Sequence, residues 1–553
     1  MSASSDTVSL PWMGLGLSSN LDAGEQPNPY RVAERAPGSF DFVEYSAPLE
    51  LERTRAEATL WPTLEAQRSE LPVLFHPVHL NLWGPTLQSE ESLKALDAHA
   101  REVQTPWVGN DVGWWHGGGT GFPGYLFLPP PLNAQGLEQS ITHARHVQAA
   151  LSVPLALENP PVLTRRGDRH VLAFMAELHA ATGVPLILDL GHLLSFQLAA
   201  GLPADAGLAD FPLEAVIEVH VAGGVIHQRG ARRFYVDDHT QPVREELFAL
   251  LEAWLPRLPN LRALTFEGDG HRIAPSLQTL ARLRALLPTQ APARIELPRP
   301  RGAPATTPMS QAPAWELFTR AHAGEDADDP EGAKEEQAFR LAVLAQEVDL
   351  HFPLTRRLIA PELEGLAAFA ASAFYREVFT EPGRELDGAF VRWARGVLSQ
   401  PGKEAGAVVL AFELAAQHLT GAPPQPPEEG EIGVGPNARY MHFPVDLTEL
   451  VESARALDVH LDARARISGR HEASALEALW QVVRRAPERP WRLALERAGP
   501  RFRPVLVDPQ EADALEAAAA RLPLTRLEEV APGDVWRSLR RRGWLQLASE
   551  RRR

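Results

Sequence analysis

Acidic and histidine side chains stand at the ends of short apolar runs throughout the first half of the sequence. These runs contain His76 in PVLFH, Asp111 in WVGND, Glu158 in PLALEN, Asp189 in PLILDL, His220 in AVIEVH and Glu267 in ALTFEG. In a barrel of parallel strands, the carboxyl ends of all strands lie on one face, so these side chains would converge there. Imidazole and carboxylate groups without sulfur are ligands that suit iron, manganese or zinc. The pattern therefore predicts a metal site.

Further candidate ligands lie in the same or neighbouring motifs. They are His79, His116, Asn159, His192, Asp237, His239, Asp269 and His271. A single residue of this kind is more often a core histidine or a turn former. So many ionisable groups at one rim would be costly to bury without compensation. A bound cation is the simplest compensation and an ion-pair network is the alternative; the number of ligands favours two or three ions.

The elements that must position these residues alternate between strand and helix. Eight β-type runs are predicted at 14–17, 41–45, 72–76, 107–111, 154–159, 185–190, 215–220 and 263–268, with helical stretches at 87–104, 137–151, 169–183 and 244–258. Alternation of this kind indicates a parallel sheet covered by helices. Eight units in about 290 residues match a closed TIM-like (β/α)8 barrel. An open doubly wound sheet is the alternative, although no GxGxxG motif follows the first strand.

The length of 553 residues predicts more than one domain. We expect a TIM-like metal-binding barrel over 1–290 and a Pro-rich, acidic linker over 291–335, extended and too polar to pack. A helical domain over 336–425 follows. The last part, 426–553, is predicted to be a small α/β, winged-helix-like module and a candidate for peptide recognition. It contains predicted helices at 445–457 and 473–486 and a predicted strand pair near 491–507.

Charge and composition exclude several classes of function. The net charge of -17, from 71 acidic and 54 basic residues, argues against sequence-independent nucleic-acid binding and against an anionic membrane surface. No apolar run is long enough to span a membrane, and no signal peptide is apparent. Cysteine is absent, which excludes thiolate ligands and disulfides. We therefore expect a cytoplasmic protein.

Several of these motifs together resemble a known family. LENP, LDLGH, EVHVAGG, VDDHTQPV and FEGDG, in this order and spacing, are similar to the multinuclear non-heme iron-dependent oxidative enzymes, the barrel proteins of the methanobactin-biosynthesis oxidase type. The resemblance covers roughly residues 10–290, and EVHVAGG with VDDHTQPV is its most specific part.

The resemblance implies a barrel with two or three irons that uses O2 to modify residues, often cysteines, of a short ribosomally made precursor peptide. The ligand set that it implies is His76, Asp111, Glu158, Asp189, His192, His220, Asp237, His239 and Glu267, with Asn159 as a neighbour of the ligands. Asp237 and His239 are also the residues that we expect to take part in catalysis. The sequence departs from the family pattern at Asn20 and Asp111, where the family usually has histidine. A carboxylate in place of an imidazole lowers the charge of the site and would favour ferric iron.

The second half resembles the partner subunit that pairs with these oxidases. The resemblance covers about residues 336–553 and depends on the HFP turn at 351–353 and on AFYREVF. It implies a fusion in which barrel and C-terminal part contact each other within one chain, at raised effective concentration. An unrelated helical appendage is the alternative. Two other functions also stay open: a metal-dependent hydrolase or isomerase on a similar barrel, and a non-catalytic peptide- or metal-binding protein.

Overall fold

The computed structural model describes residues 7–118, 126–305, 311–360, 363–381, 383–400, 403–418, 432–435, 438–443, 449, 491–498 and 501–547. The chain divides into two compact units. The first comprises Met1–Arg340 with Glu377–Arg384, and the second comprises Leu341–Arg376 with Glu385–Arg553.

The first unit is built on a closed barrel. Its strands are β1 (Thr7–Leu10), β2 (Gly14–Ser19), β3 (Phe42–Ala47), β4 (Val73–Pro77), β5 (Val108–Asp111), β6 (Leu155–Glu158), β7 (Leu186–Asp189), β8 (Val216–Ala222), β9 (Gly224–Arg229), β10 (Arg232–Asp237), β11 (Ala263–Glu267) and β12 (Ile295–Pro298). Strands β2 to β8 and β11 close the barrel in the order β11-β2-β3-β4-β5-β6-β7-β8, and every neighbouring pair is parallel. The predicted TIM-like barrel is confirmed, and each predicted run coincides with a barrel strand.

Helices cover the outside of the barrel. They are α1 (Pro29–Arg35), α2 (Leu51–Glu57), α3 (Trp61–Gln67), α4 (Glu90–Val103), α5 (Ala134–Ala150), α6 (Val171–Thr182), α7 (Leu190–Ala200), α8 (Glu245–Trp254) and α9 (Ile273–Arg284). Local sequence fixes their ends. Ser89 caps α4 by accepting a hydrogen bond from the backbone N–H of Ser92, and Gly183 ends α6 in the left-handed conformation that favours glycine.

The inward-facing side chains change from apolar to ionisable along the barrel axis. Alternate residues of a strand share a face, so Phe42 at the bottom of β3 is followed inside the barrel by Glu44, and Leu74 of β4 by His76. Apolar residues fill the lower layer: Leu10, Met13, Phe42, Leu74, Trp107, Ala156, Ile187, Ile217 and Ala263. The barrel thus has a packed floor beneath a polar layer at the carboxyl ends of its strands.

The segment predicted as an extended linker, 291–335, differs from that expectation. Strand β12 pairs antiparallel with β1, and α10 (Gln311–Ala323) and the start of α11 (Pro330–Asp349) follow. Trp315 and Phe318 of α10 are 4% and 2% exposed. The linker expectation relied on local composition, whereas apolar side chains and long-range ion pairs order this segment.

The described part of the second unit is helical at first and then mixed. Its helices are α12 (Pro353–Ile359), α13 (Ala367–Ala370), α14 (Ala373–Thr380), α15 (Leu386–Leu398), α16 (Glu404–His418), α17 (Pro509–Ala519), α18 (Leu524–Val530) and α19 (Gly533–Arg541); its strands are β13 (Ile432–Val434), β14 (Ala438–Phe443), β15 (Trp491–Ala498), β16 (Arg501–Leu506) and β17 (Leu545–Leu547). The predicted strand pair near 491–507 forms the β15–β16 hairpin in a sheet of order β14-β15-β16, and β13 pairs with β17. Of the helices predicted at 445–457 and 473–486, only residue 449 lies within the described residues.

None of the described helices has both the length and the apolarity that a membrane-spanning helix needs.

Candidate metal centre

Glu158 lies at the centre of the ionisable cluster above the barrel floor. It ends β6, and its carboxylate is reached by three imidazoles from other strands or helices. Its Oε2 is 3.0 Å from His76 Nε2, while its Oε1 is 3.4 Å from His192 Nδ1 and 3.3 Å from His220 Nδ1. Glu158 is 2% exposed. One carboxylate therefore connects three of the histidines that the sequence singles out.

The remaining members of the predicted ligand set adjoin this centre. Asp237 Oδ2 is 3.5 Å from His192 Nε2 and 2.8 Å from His239 Nε2. Glu267 lies 3.8 Å from both His220 and His239. The structure thus brings the nine predicted ligand residues into one cluster, with Asp111 and Asp189 at 3.4 and 3.8 Å from His192.

Groups of ligand atoms within this cluster are close enough to share a cation. Atoms within 4.8 Å of one another are offered by His76, Asp111 and Glu158, by Glu158, Asp189 and His192, and by Asp189, His220 and Glu267. Because Glu158 and Asp189 each belong to two groups, the arrangement allows adjacent ions with bridging carboxylates.

Other candidates from the sequence lie beside the cluster or away from it. Asn159 holds β7 through its side chain, which exchanges two 3.0 Å hydrogen bonds with the backbone of Asp189. Asp269 is 3.3 Å from His239 Nδ1. His116 pairs with Gln88 at 3.0 Å. Their contacts indicate roles as neighbours of the ligands or as structural groups.

His271 donates to the carbonyl of Gln241 at 2.8 Å. His79 adopts a positive φ of 66° and stands edge-on to Trp115, with ring centroids 6.4 Å apart. Asn20, one of the two departures from the family pattern, is exposed and lines the mouth of the pocket.

Two buried glutamates of the cluster are absent from the sequence-based set. Glu44 Oε1 and Glu218 Oε1 lie 3.3 and 3.4 Å from His220 Nε2. Glu218 also accepts hydrogen bonds from Trp107 Nε1 at 2.8 Å and from Thr265 Oγ1 at 2.9 Å. The spacing of Glu218 could have identified it from the sequence. Glu218 precedes His220 by two positions, and residues two apart on a strand point to the same face. The carboxylates of both glutamates face the Nε2 side of the His220 ring.

The electrostatics of the cluster couple its acids to its imidazoles. Burial lowers the pKa of His76, but the hydrogen bond and charge of Glu158 outweigh this and raise that pKa to about 9. Burial raises the pKa of Asp111 to about 7, with the charge of Glu158 adding to the effect. Burial also raises the pKa of Glu44 to about 8, against the opposing charge of His220. In the absence of a metal, protons on the histidines and on part of the acids compensate the buried carboxylates.

The residues present fit a metal ion. Four buried carboxylate oxygens have no hydrogen-bond donor within the described ranges, namely Asp111 Oδ1, Asp189 Oδ2, Asp237 Oδ1 and Glu267 Oε2. Buried polar atoms are normally paired, and bound cations would supply partners for these oxygens. The donors are nitrogen and oxygen only, which suits iron, manganese or zinc. His192 makes a hydrogen bond of the kind that commonly orients metal-binding histidines, since its Nδ1 donates to the carbonyl of Asn159 at 2.9 Å.

A pocket opens from the cluster to solvent. Its volume is about 150 Å³, comparable to a cavity that accepts benzene. Serines and Trp115 line it together with the ligand residues, and Trp115 stacks on Phe127 with ring centroids 4.2 Å apart. The space admits a single side chain or another small group.

Comparison with known proteins assigns the barrel to a family. Residues 23–286 match the family model described as RiPP precursor modification enzyme MbnB/TglH/ChrH. A UPF0276 protein of Caulobacter vibrioides is 29% identical over 208 residues, which are 37% of this chain and 72% of that protein. A UPF0276 protein of Streptomyces avermitilis is 31% identical over 244 residues, which cover 41% of this chain and 46% of that protein.

Among solved structures, endonuclease IV from Thermus thermophilus aligns with 50% of this chain and 100% of its own, at 19% identity and a TM-score of 0.34. The family match and the clustered ligand atoms together indicate a metal-dependent enzyme. Over residues 23–286, the barrel therefore matches the family of RiPP precursor modification enzymes MbnB/TglH/ChrH.

Proposed function

We propose that this protein is an iron- and O2-dependent oxidase that modifies a residue, often a cysteine in this family, of a short ribosomally made peptide. The observation that carries the proposal is the cluster around Glu158, which three imidazoles approach within 3.4 Å. Histidine and carboxylate ligands with open positions are typical of non-heme iron oxygenases. Nine ligand residues exceed the roughly six positions of one octahedral ion, which supports two or three irons.

Bound iron would supply the redox chemistry that activates O2. The nine ligand residues would hold the metal, namely His76, Asp111, Glu158, Asp189, His192, His220, Asp237, His239 and Glu267. The small pocket beside them would orient one side chain of the peptide. Trp115 lines this pocket, and its buried indole N–H has no acceptor in the described part of the chain. That N–H can therefore donate a hydrogen bond to the bound group.

Asp237 and His239 can hold and move a proton next to the metal. His239 Nε2 is 2.8 Å from Asp237 Oδ2, and its Nδ1 is 3.3 Å from Asp269 Oδ2. The side chain of Asp269 is 45% exposed, whereas that of Asp237 is 4% exposed. The imidazole thus connects a buried carboxylate with one in contact with solvent. This geometry supports the catalytic roles expected of Asp237 and His239.

The proposal includes peptide recognition by the C-terminal unit. Its sheet places β15 in the centre, so strand addition would use β14 or β16, whose outer sides have no partner strand among the described residues. In β16, Pro504 lacks a backbone N–H, which restricts pairing at that edge. The edge of β14 is therefore the better candidate for an added peptide strand.

Two other functions make different predictions. A phosphoesterase would need cationic side chains to hold phosphate, but no Lys or Arg is among the described residues that line the pocket. A non-catalytic binding protein would be supported by Asn20 and Asp111, which stand where the family usually has histidine. Asp111 nevertheless lies within the cluster and offers a ligand atom, which favours an active site.

The test is metal analysis followed by O2 consumption. Protein expressed in iron-rich medium and purified without oxygen should contain two or three irons per chain and give a Mössbauer spectrum of N/O-ligated iron. Stoichiometric zinc without iron would overturn the proposal in favour of a hydrolase. Iron without O2 uptake, in the presence of precursor peptides encoded near the gene, would favour the binding protein.

A further inference from the structure

A two-stranded hairpin leaves the barrel after β8 and carries two of the predicted ligands at its base. β9 and β10 pair with each other along their whole length but belong to a sheet separate from the barrel. Asp237 ends β10, and His239 follows two positions later. A Cβ on Gly224 would lie 2.2 Å from the ring of Tyr235, so the base of the hairpin packs closely. The position of the hairpin therefore sets the positions of Asp237 and His239.

The outer end of this hairpin is bound by a short acidic segment, residues 326–336, which we call the acidic clamp. The guanidinium of Arg232 donates to both carboxylate oxygens of Asp329, to Oδ2 at 3.3 Å. Arg229 Nε donates to Glu335 Oε2 at 2.8 Å. Asp329 and Glu335 are 2% and 1% exposed. Buried acids of this kind need their cations, so hairpin and clamp are held together.

The acidic clamp is also fixed to a second part of the barrel. Glu336 accepts hydrogen bonds from Thr164 Oγ1 at 2.6 Å and from Arg340 Nε at 2.9 Å, and it lies 2.6 Å from Arg166 Nη1. Thr164 and Arg166 belong to the loop after β6, the strand that ends in Glu158. The clamp thus bridges the loops after β6 and β8, and both loops adjoin predicted ligands.

We propose that the acidic clamp positions Asp237 and His239 at the metal centre, with Arg232 as the main positioning residue. Besides Asp329, Arg232 donates to the carbonyl of Ala199 at the end of α7, so one side chain joins hairpin, clamp and barrel. An isolated two-stranded hairpin is only marginally stable. Strand β10 packs on α7, and the clamp supplies the contacts that hold the outer end of the hairpin. The inference rests on the proposed function for the identity of the metal, but not for the hairpin's dependence on the clamp.

The test uses the full-length chain and two measurements. Amide hydrogen exchange of the metal-free protein reports the order of residues 224–239 whether or not iron binds, and competition with a chelator under anaerobic conditions gives the affinity for Fe(II). The variants are Arg232→Ala and Arg232→Lys. Arg282→Ala is the matched control, because Arg282 makes two 2.6 Å hydrogen bonds to Glu245 on the exposed surface.

Arg232→Ala should raise exchange in residues 224–239 and lower Fe(II) affinity by about tenfold or more, the usual effect of losing a group that orients ligands. Arg232→Lys should have exchange and Fe(II) affinity between those of Arg232→Ala and the wild type. Arg282→Ala should leave the exchange of the hairpin and the Fe(II) affinity unchanged. If amide exchange of residues 224–239 in Arg232→Ala equals that of the wild type, the clamp does not hold the hairpin and the proposal is wrong. If exchange of the hairpin rises but the affinity for Fe(II) stays at the wild-type value, the clamp does not position Asp237 and His239 for metal binding. If wild-type protein binds no iron, the proposed function fails while the exchange experiment still decides the clamp.

If Arg232→Ala does not fold, Glu335→Gln replaces it. This variant keeps the size of the side chain and weakens its contacts with two residues of the hairpin, Arg229 at 2.8 Å and His227 at 2.6 Å. The same two measurements then apply with the same expected direction, and an unchanged hairpin overturns the proposal.

Discussion

Replacing Glu336 with Gln should destabilise the first unit strongly, because this carboxylate is the counter-ion of two buried arginines. Its side chain is 7% exposed and contacts Arg166 at 2.6 Å and Arg340 at 2.9 Å. Burial raises the pKa of Glu336, but the charges of both arginines outweigh this and lower it from 4.5 to about 2. A difference of that size corresponds to about 3 kcal/mol, in the range of about 3–5 kcal/mol for breaking a buried ion pair.

The same pKa gives the pH dependence. The pKa in the folded state lies below the value of 4.5 in the unfolded state. The stabilisation is therefore complete at neutral pH and is lost as the pH falls from 4.5 towards 2. Wild type and Glu336→Gln should differ most at pH 7, and the difference should shrink below pH 4.5.

Thermal unfolding of metal-free full-length protein, followed by circular dichroism between pH 7 and pH 4, measures this difference. The midpoint of the transition should fall by about 5 °C or more at pH 7. Glu245→Gln is the control, because Glu245 pairs with Arg282 at 2.6 Å on the surface, where such pairs contribute about 0–1 kcal/mol. Equal midpoints for Glu336→Gln and Glu245→Gln at pH 7 would refute the reasoning.

Three further predictions concern the metal centre and the first unit. His220→Ala should remove at least one metal ion and most turnover with an unchanged circular dichroism spectrum, and full metal content would show that His220 only packs. Gly191→Ala should lower metal affinity, because its Cβ would lie 2.7 Å from Asp237 Oδ1; Gly396→Ala, where no atom lies within 4 Å of the new Cβ, is the control. A chain ending at residue 290 lacks the acidic clamp and should aggregate during expression, whereas one ending at 349 should stay soluble; equal solubility by centrifugation assay would count against the clamp.

The sequence predicted the barrel because barrel strands carry strong local signals. Each is a short apolar run bounded by turn residues, and its last residues face the rim by the geometry of parallel strands. That is why Glu158 and His220 could be placed at one site although they lie on different strands. Glu44 and Glu218 were missed because the prediction considered only the last residues of each strand. It did not consider the inward-facing positions that come earlier in the same strands.

The acidic clamp could not be predicted from local sequence. Composition made 291–335 a polar linker, but the partners that order it lie far away in the chain. Glu336 and Thr164 are separated by 172 positions, and Arg232 and Asp329 by 97. Apolar residues around Trp315 could have indicated a buried helix at α10. The sequence alone does not show which surface covers this helix. Hydrophobic periodicity carries no information about long-range ion pairs, and such pairs order this segment.

The two acidic clusters of the first unit differ in the kind of cation that compensates them, and this difference separates a structural site from a metal site. In the acidic clamp, Glu336 faces arginines, which keep their charge at every relevant pH. At the rim, Glu158 faces His76, His192 and His220, whose charge is a proton that can be released. A metal ion can displace protons from imidazoles and take over the carboxylates, but it cannot displace the charge of a guanidinium. Buried acids paired with histidine can therefore exchange protons for metal, whereas buried acids paired with arginine are committed to the fold.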